Sequence, residues 1–128
     1  ININFLIMYM NFNKGDMVEF FSHIRIEDGH AFEAGYPKLY ETVLDTGIIV
    51  SDVFGGNEEN IDGEAPKRKR VCISIPRYDG DYRVEDLYKL TKKDVTPEDK
   101  LSLIGEFGSW WYYDHKSLYQ SILIEALN

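Results

Sequence analysis

Between residues 18 and 26 the chain alternates with a period of two. Val18, Phe20, Ser22, Ile24 and Ile26 fall on one face, with Glu19, His23 and Arg25 on the other. That spacing predicts a strand, entered through a turn over Asn13 to Asp16 and left at Asp28 and Gly29. Upstream, "ININFLIMYMNF" alternates loosely and is apolar on both faces after Phe5, which fits a strand buried on two sides or a leader. Residues 38–45 carry two patterns at once. Pro37, followed by Leu39, Tyr40, Val43 and Leu44 at helical spacing and by Gly47, describes a short helix, whereas "LYETVL", "DTG" and "IIV" describe a hairpin. Residues 47–53 are read as strand.

Residues 54–70, rich in Gly and charge, form a long exposed loop. Beyond it Val71, Ile73 and Ile75 alternate, Asp79 and Gly80 supply a hairpin turn, and Tyr82 and Val84 resume the pattern. The last third changes period. Thr96 as cap, Pro97 at the first position and Glu98 and Asp99 in the first turn start a helix. Gly105 and Gly108 interrupt it, and Asp114 can cap a second helix carrying Leu118, Ile122, Leu123, Ala126 and Leu127. The expected fold is therefore α+β: a single domain over residues 1–128, with a small antiparallel, partly open β-barrel or curled sheet in the β-rich part up to residue 90 and two C-terminal helices in a tail from residue 96.

Taken in order, "KGDMVEF", "DTGIIVSD", "RVCISI" and "YRVEDLYKL" resemble the strand succession of small Tudor-like or KOW-like β-barrels over residues 14–90. The chain departs from that pattern in its long segment between strands at 27–46 and in its helical tail. The resemblance implies a barrel that binds peptides, modified residues or nucleic acid, and it carries no binding residues across.

Composition adds direction to this outline. The 128 residues hold 14 Lys and Arg against 22 Asp and Glu, a net charge of −8, which argues against nucleic acid and for a basic protein as partner. Residues 1–53 carry three basic groups against eight acidic, residues 97–128 two against five, and the middle is close to neutral. The lone Cys72 excludes an internal disulfide and points to a reducing, cytoplasmic setting. The most apolar run, "FLIMYM", is too short for a membrane span and lacks the flanks of a signal peptide. The sequence begins at Ile1, and Met8 or Met10 offers an alternative start.

Spacing limits the chemistry these side chains can support. With Gly63 at the sixth place of a calcium loop, Glu58, Asn60, Asp62 and Glu64 take the donor positions, but Lys69 stands where the bidentate glutamate belongs and defeats the site. His23, Glu27, Asp28, His30 and Glu33 cluster, yet their spacing matches no zinc pattern and they read as an exposed strand and turn. Cys72 reads as a buried structural thiol, and His115 as facing water. With neither a phosphate loop nor a nucleophile elbow in the sequence, no catalytic residue, metal or cofactor is expected.

"SWWYYD" remains. Four consecutive rings on a helix cannot all face one core, so part of the set Trp110, Trp111, Tyr112 and Tyr113 must be exposed. Either they anchor a partner, or Trp110 and Tyr113 plug the barrel while Trp111 and Tyr112 lie half-covered. The expected function is a non-enzymatic acidic protein that engages and inhibits a basic toxin or nucleic-acid-handling protein, as immunity proteins and viral anti-defence inhibitors do. Its expected contacts are those four rings with Glu58, Glu59, Asp62 and Glu64. The alternatives are a nucleic-acid or peptide reader using the barrel face and Lys67, Arg68, Lys69 and Arg70, and a small hydrolase or metal-dependent enzyme without a recognisable motif.

Overall fold

The computed structural model describes residues 11–26, 39–56, 68–78 and 82–128. The expected strand or leader at residues 1–10, the turn at Asp28 and Gly29, the histidine at His30, the acidic loop with Glu58, Glu59, Asp62, Glu64 and Lys67, and the turn at Asp79 and Gly80 lie outside these residues.

The alternating segment forms β1 (Met17–Ile26), which pairs antiparallel with β2 (Leu39–Ile49) from Met17↔Ile48 to Ile26↔Leu39. The two patterns thus resolve as strand over residues 39–45, residue 38 lying outside the described residues. The β-branched residues of "LYETVL" face a ready partner in β1, and tertiary pairing overrides the helical spacing. The strand expected to run to residue 53 instead ends at Ile49. The β-rich runs downstream form β3 (Arg70–Ser74) and β4 (Arg83–Asp86), an antiparallel pair in the register Ile73↔Arg83. A 3-10 helix, Leu87–Lys89, leads to β5 (Thr91–Lys92), which returns to pair with Val18 and Glu19 of β1.

The strand order is β4-β3-β2-β1-β5, so β4 and β5, consecutive in sequence, occupy opposite edges of the sheet. In a flat sheet those edges would stand about 19 Å apart. A 3-10 turn rising about 2 Å per residue cannot cross that gap, so the sheet curls until its edges approach. The bridge is anchored at both ends, Leu87 N donating to Lys69 O at 3.0 Å and Lys93 N to Met17 O at 2.8 Å.

Curling gives the sheet two buried faces. Inside lie Val18, Phe20, Ile49, Val71, Ile73 and Leu87, joined by Phe12. On the outer face, Met17 and Ile48 pack under a helical layer through Leu103, Ile104, Phe107, Trp111 and Ile122. Adjacent Ile48 and Ile49 are both fully buried, one on each face. Gly47 sits where the sheet closes tightly: a Cβ there would lie 2.5 Å from the Ile73 side chain and 2.6 Å from the Ser74 carbonyl oxygen. The far part of the β1–β2 hairpin projects past β3 and β5, with Phe21 and Leu44 opposite each other and exposed.

The first helix begins where the sequence places it. In α1 (Pro97–Ile104), Thr96 Oγ1 accepts from Asp99 N at 3.2 Å and Asp99 Oδ2 from Thr96 N at 3.3 Å, a closed capping box. The second helix is divided into α2 (Trp110–Asp114) and α3 (Lys116–Leu127) at His115, whose φ of −126° and ψ of 41° are not helical. Asp114 is therefore the last residue of α2 and not the cap of α3. Of the apolar positions expected on the second helix, Leu127 is exposed on α3, while Ile122 is buried. Among the described residues no helix is long and apolar enough to cross a membrane.

Candidate binding surface

The aromatic run sits on α2, and the helix sorts its rings by direction. Trp111 is 0% exposed, stacked on Phe107 with ring centroids 5.4 Å apart and set edge-on to Tyr112 at 6.3 Å. Burial of one indole removes on the order of 200 Å² from water, a gross gain of about 5 kcal/mol. Trp111 thus has no surface to offer a partner, and the expectation of contact through it is corrected: the ring closes the core between sheet and helices. Trp110 and Tyr112 are half-buried, with Tyr112 edge-on to Tyr119 at 4.8 Å. Tyr113, expected as a candidate plug, points outward at 83% exposure. The plugging arrangement is not adopted: Trp111 is the fully buried ring, and Trp110 and Tyr112 pack half-buried against the same cluster between sheet and helices.

His115 is not simply solvated. Its ring lies 5.0 Å from Trp111 and 6.3 Å from Trp110. Burial holds its pKa below the usual imidazole value, with the Asp114 charge pulling weakly the other way. Beside it opens a groove of about 670 Å³ lined by Lys14, Tyr113, Asp114, His115, Lys116 and Ser117 among others.

Charge is distributed unevenly around this frame. In the sheet, Asp16 pairs with Lys92 at 3.3 Å, Glu19 with Lys93, Asp45 with Arg77, and Asp86 with Arg70 at 3.0 Å. Glu85 is buried and accepts from Arg83 Nε at 2.6 Å. Desolvation acts to lower the Arg83 pKa, but the hydrogen bond and charge of Glu85, with help from Tyr78, outweigh it and leave it raised. In and around the helices the pattern differs. Asp94, Glu98, Glu106, Asp114 and Glu125 are all exposed and in no ion pair among the described residues.

Of the expected basic set, Arg68 and Arg70 converge on Asp86, and Lys69 is exposed. Cys72 is half-buried rather than buried, its backbone N donating to Ser51 Oγ at 2.8 Å. Among the described residues no group of three or more His, Cys, Asp or Glu could hold a metal ion. The sequence reading missed the unpaired helical carboxylates as a group, although the acidic excess of residues 97–128 was their signal. It also missed Tyr88, which lies against Arg68 with the guanidinium carbon 4.8 Å from its ring centroid. No protein-family model, no curated protein and no solved structure matches the chain.

Proposed function

We infer that the chain is a non-enzymatic acidic binding protein that engages, and inhibits, a basic protein partner through its helical layer. One observation carries this reading: the helical region carries five exposed carboxylates in no ion pair among the described residues, together with an outward Tyr113. Carboxylates left without internal partners contribute little to holding the fold and give a long-range field that steers a cationic surface. A rigid, exposed tyrosine supplies area at low entropic cost once the surfaces meet. Glu125 supports the same account. It occupies the last turn of α3, where the helix dipole disfavours an anion, and no basic residue accompanies it. The single thiol, Cys72, fits a reducing cytoplasmic compartment, and a toxin or nucleic-acid-handling enzyme is the class of partner with the required basic surface.

The test is stoichiometric capture of a basic protein from the native host by the wild-type chain, compared with Tyr113→Ala and with the combined variant Glu106→Gln, Asp114→Asn, Glu125→Gln. Both variants are expected to keep the wild-type thermal transition. The charge variant is expected to slow association more than tenfold at low salt, and Tyr113→Ala to speed dissociation. A complex that forms equally with all three proteins would sink the reading.

A further inference from the structure

Although the chain is acidic overall, eight of its 14 basic residues fall within residues 68–93, against four acidic ones. Around the start of β3 and along β4, four cations share two carboxylates and a fifth pairs with neither. Arg68 and Arg70 both reach Asp86, at 3.8 and 3.0 Å. Arg83 and Lys89 both reach Glu85, at 2.6 and 3.8 Å. Lys69 is exposed and pairs with no described residue. Among the described residues this corner therefore keeps an excess of three positive charges.

Two rings lie among those charges. Tyr88, 52% exposed, accepts a 2.8 Å hydrogen bond from Arg68 and has the Lys89 ammonium 6.0 Å from its centroid. Phe54, 43% exposed, bridges through its backbone to Arg70, which pairs on its other side with Asp86, so the three residues stand side by side in one row across the sheet. Gly55 makes that row possible. Its φ is +78°, and a Cβ would stand 2.8 Å from the Arg68 carbonyl oxygen, so only glycine lets the chain pass there.

We propose that this corner binds single-stranded nucleic acid, with phosphates on Arg68, Lys69, Arg70 and Lys89 and bases stacked on Tyr88 and Phe54. Cations alone would suit any polyanion. Cations interleaved with exposed rings suit a strand whose bases are free to stack. A duplex holds its bases away from such rings, and an acidic peptide brings charge with few flat faces. The net charge of −8 opposes binding as a whole, but screening over about 8 Å at physiological salt leaves the local excess in control of contact. Binding is accordingly weak and steeply salt-dependent.

The test is fluorescence anisotropy of labelled oligothymidylate and oligouridylate, with a duplex and a glutamate-rich peptide as competing ligands. Three uncompensated charges give a slope near −2 in log K against log salt, about a twentyfold loss from 50 to 200 mM. Tyr88→Leu and Phe54→Leu are each expected to weaken single-strand binding about tenfold, and Lys69→Ala to reduce the slope by about 0.7. All three side chains are exposed, so the variants should keep the wild-type melting curve. No binding at 50 mM salt, equal or tighter binding of the duplex or the peptide, or ring variants that bind like wild type would each overturn the proposal. Tyr113 and the helical carboxylates play no part in it, so its failure leaves the acidic-surface reading standing.

Discussion

The sheet and the helical layer treat charge in opposite ways. Among the described residues of the sheet and its flanking turns, Asp16, Glu19, Asp45, Asp52, Glu85 and Asp86 all meet a cation, and Glu41, on the projecting part of β2, is the exception. The helical region holds itself to the sheet through Trp111, Phe107 and Ile122, and apart from Asp99 in the capping box its carboxylates make no ion pair or side-chain hydrogen bond among the described residues. Charge spent within a fold fixes register and closes edges, whereas charge left over is available to other molecules. The contrast teaches that a net charge read from composition says little until it is known which carboxylates are already engaged.

The largest test of this contrast is Trp111→Ala. If the helical layer is held by apolar contact alone, losing a fully buried indole should cost about 4 kcal/mol in urea unfolding, while Tyr113→Ala should stay within about 0.5 kcal/mol of wild type. Equal effects would mean that the two rings are not sorted as described. Next comes Gly47→Ala, in which a new methyl meets the Ile73 side chain and the Ser74 carbonyl at under 3 Å. Overpacking there should destabilise by about 2–3 kcal/mol, and a neutral result would show that the curled sheet yields more readily than its close approach implies.

A direct comparison of the two charge regimes pairs Glu85→Gln with Glu125→Gln. The first strips a buried partner from Arg83 and should cost about 2 kcal/mol. The second should change stability by less than about 0.5 kcal/mol, with a slight gain as the helix dipole is relieved. The smallest expected effect is a pH dependence at His115. Its folded pKa is lowered chiefly by burial, so the unfolded chain takes up the proton first. The resulting penalty is absent above about pH 6.5 and grows as pH falls through the interval down to the folded pKa. His115→Gln should flatten the melting temperature between pH 7.5 and 5.5 relative to wild type, and an unchanged slope would remove His115 as a contributor.

Local signals in the sequence were dependable where the deciding atoms lie close together in the chain. Thr96, Pro97 and Asp99 set the start of α1, and Val18, Phe20 and Ser22 identified the inward face of β1. Residues 39–45 were ambiguous because their type suits two structures and the choice is made by β1, some twenty positions away. Which of four adjacent rings faces the core depends on the phase of α2, and the turn over Gly105 to Ser109 resets that phase without leaving a pattern to read. The ion pairs on Asp86 come from residues 16 and 18 positions distant, beyond any periodicity. For the same reason the basic corner, assembled from Phe54, Arg68 and Tyr88, was visible only as the run "KRKR".

The short bridge through Leu87–Lys89 also fixes the order in which the sheet can be completed. The last strand, Thr91–Lys92, docks beside Val18 and Glu19, more than seventy residues upstream. A chain emerging from the ribosome therefore presents one flank of β1 without this neighbour until more than seventy further residues have been made. Such distant pairings raise contact order and slow closure, so this first strand is where a nascent chain would most need shielding from neighbours.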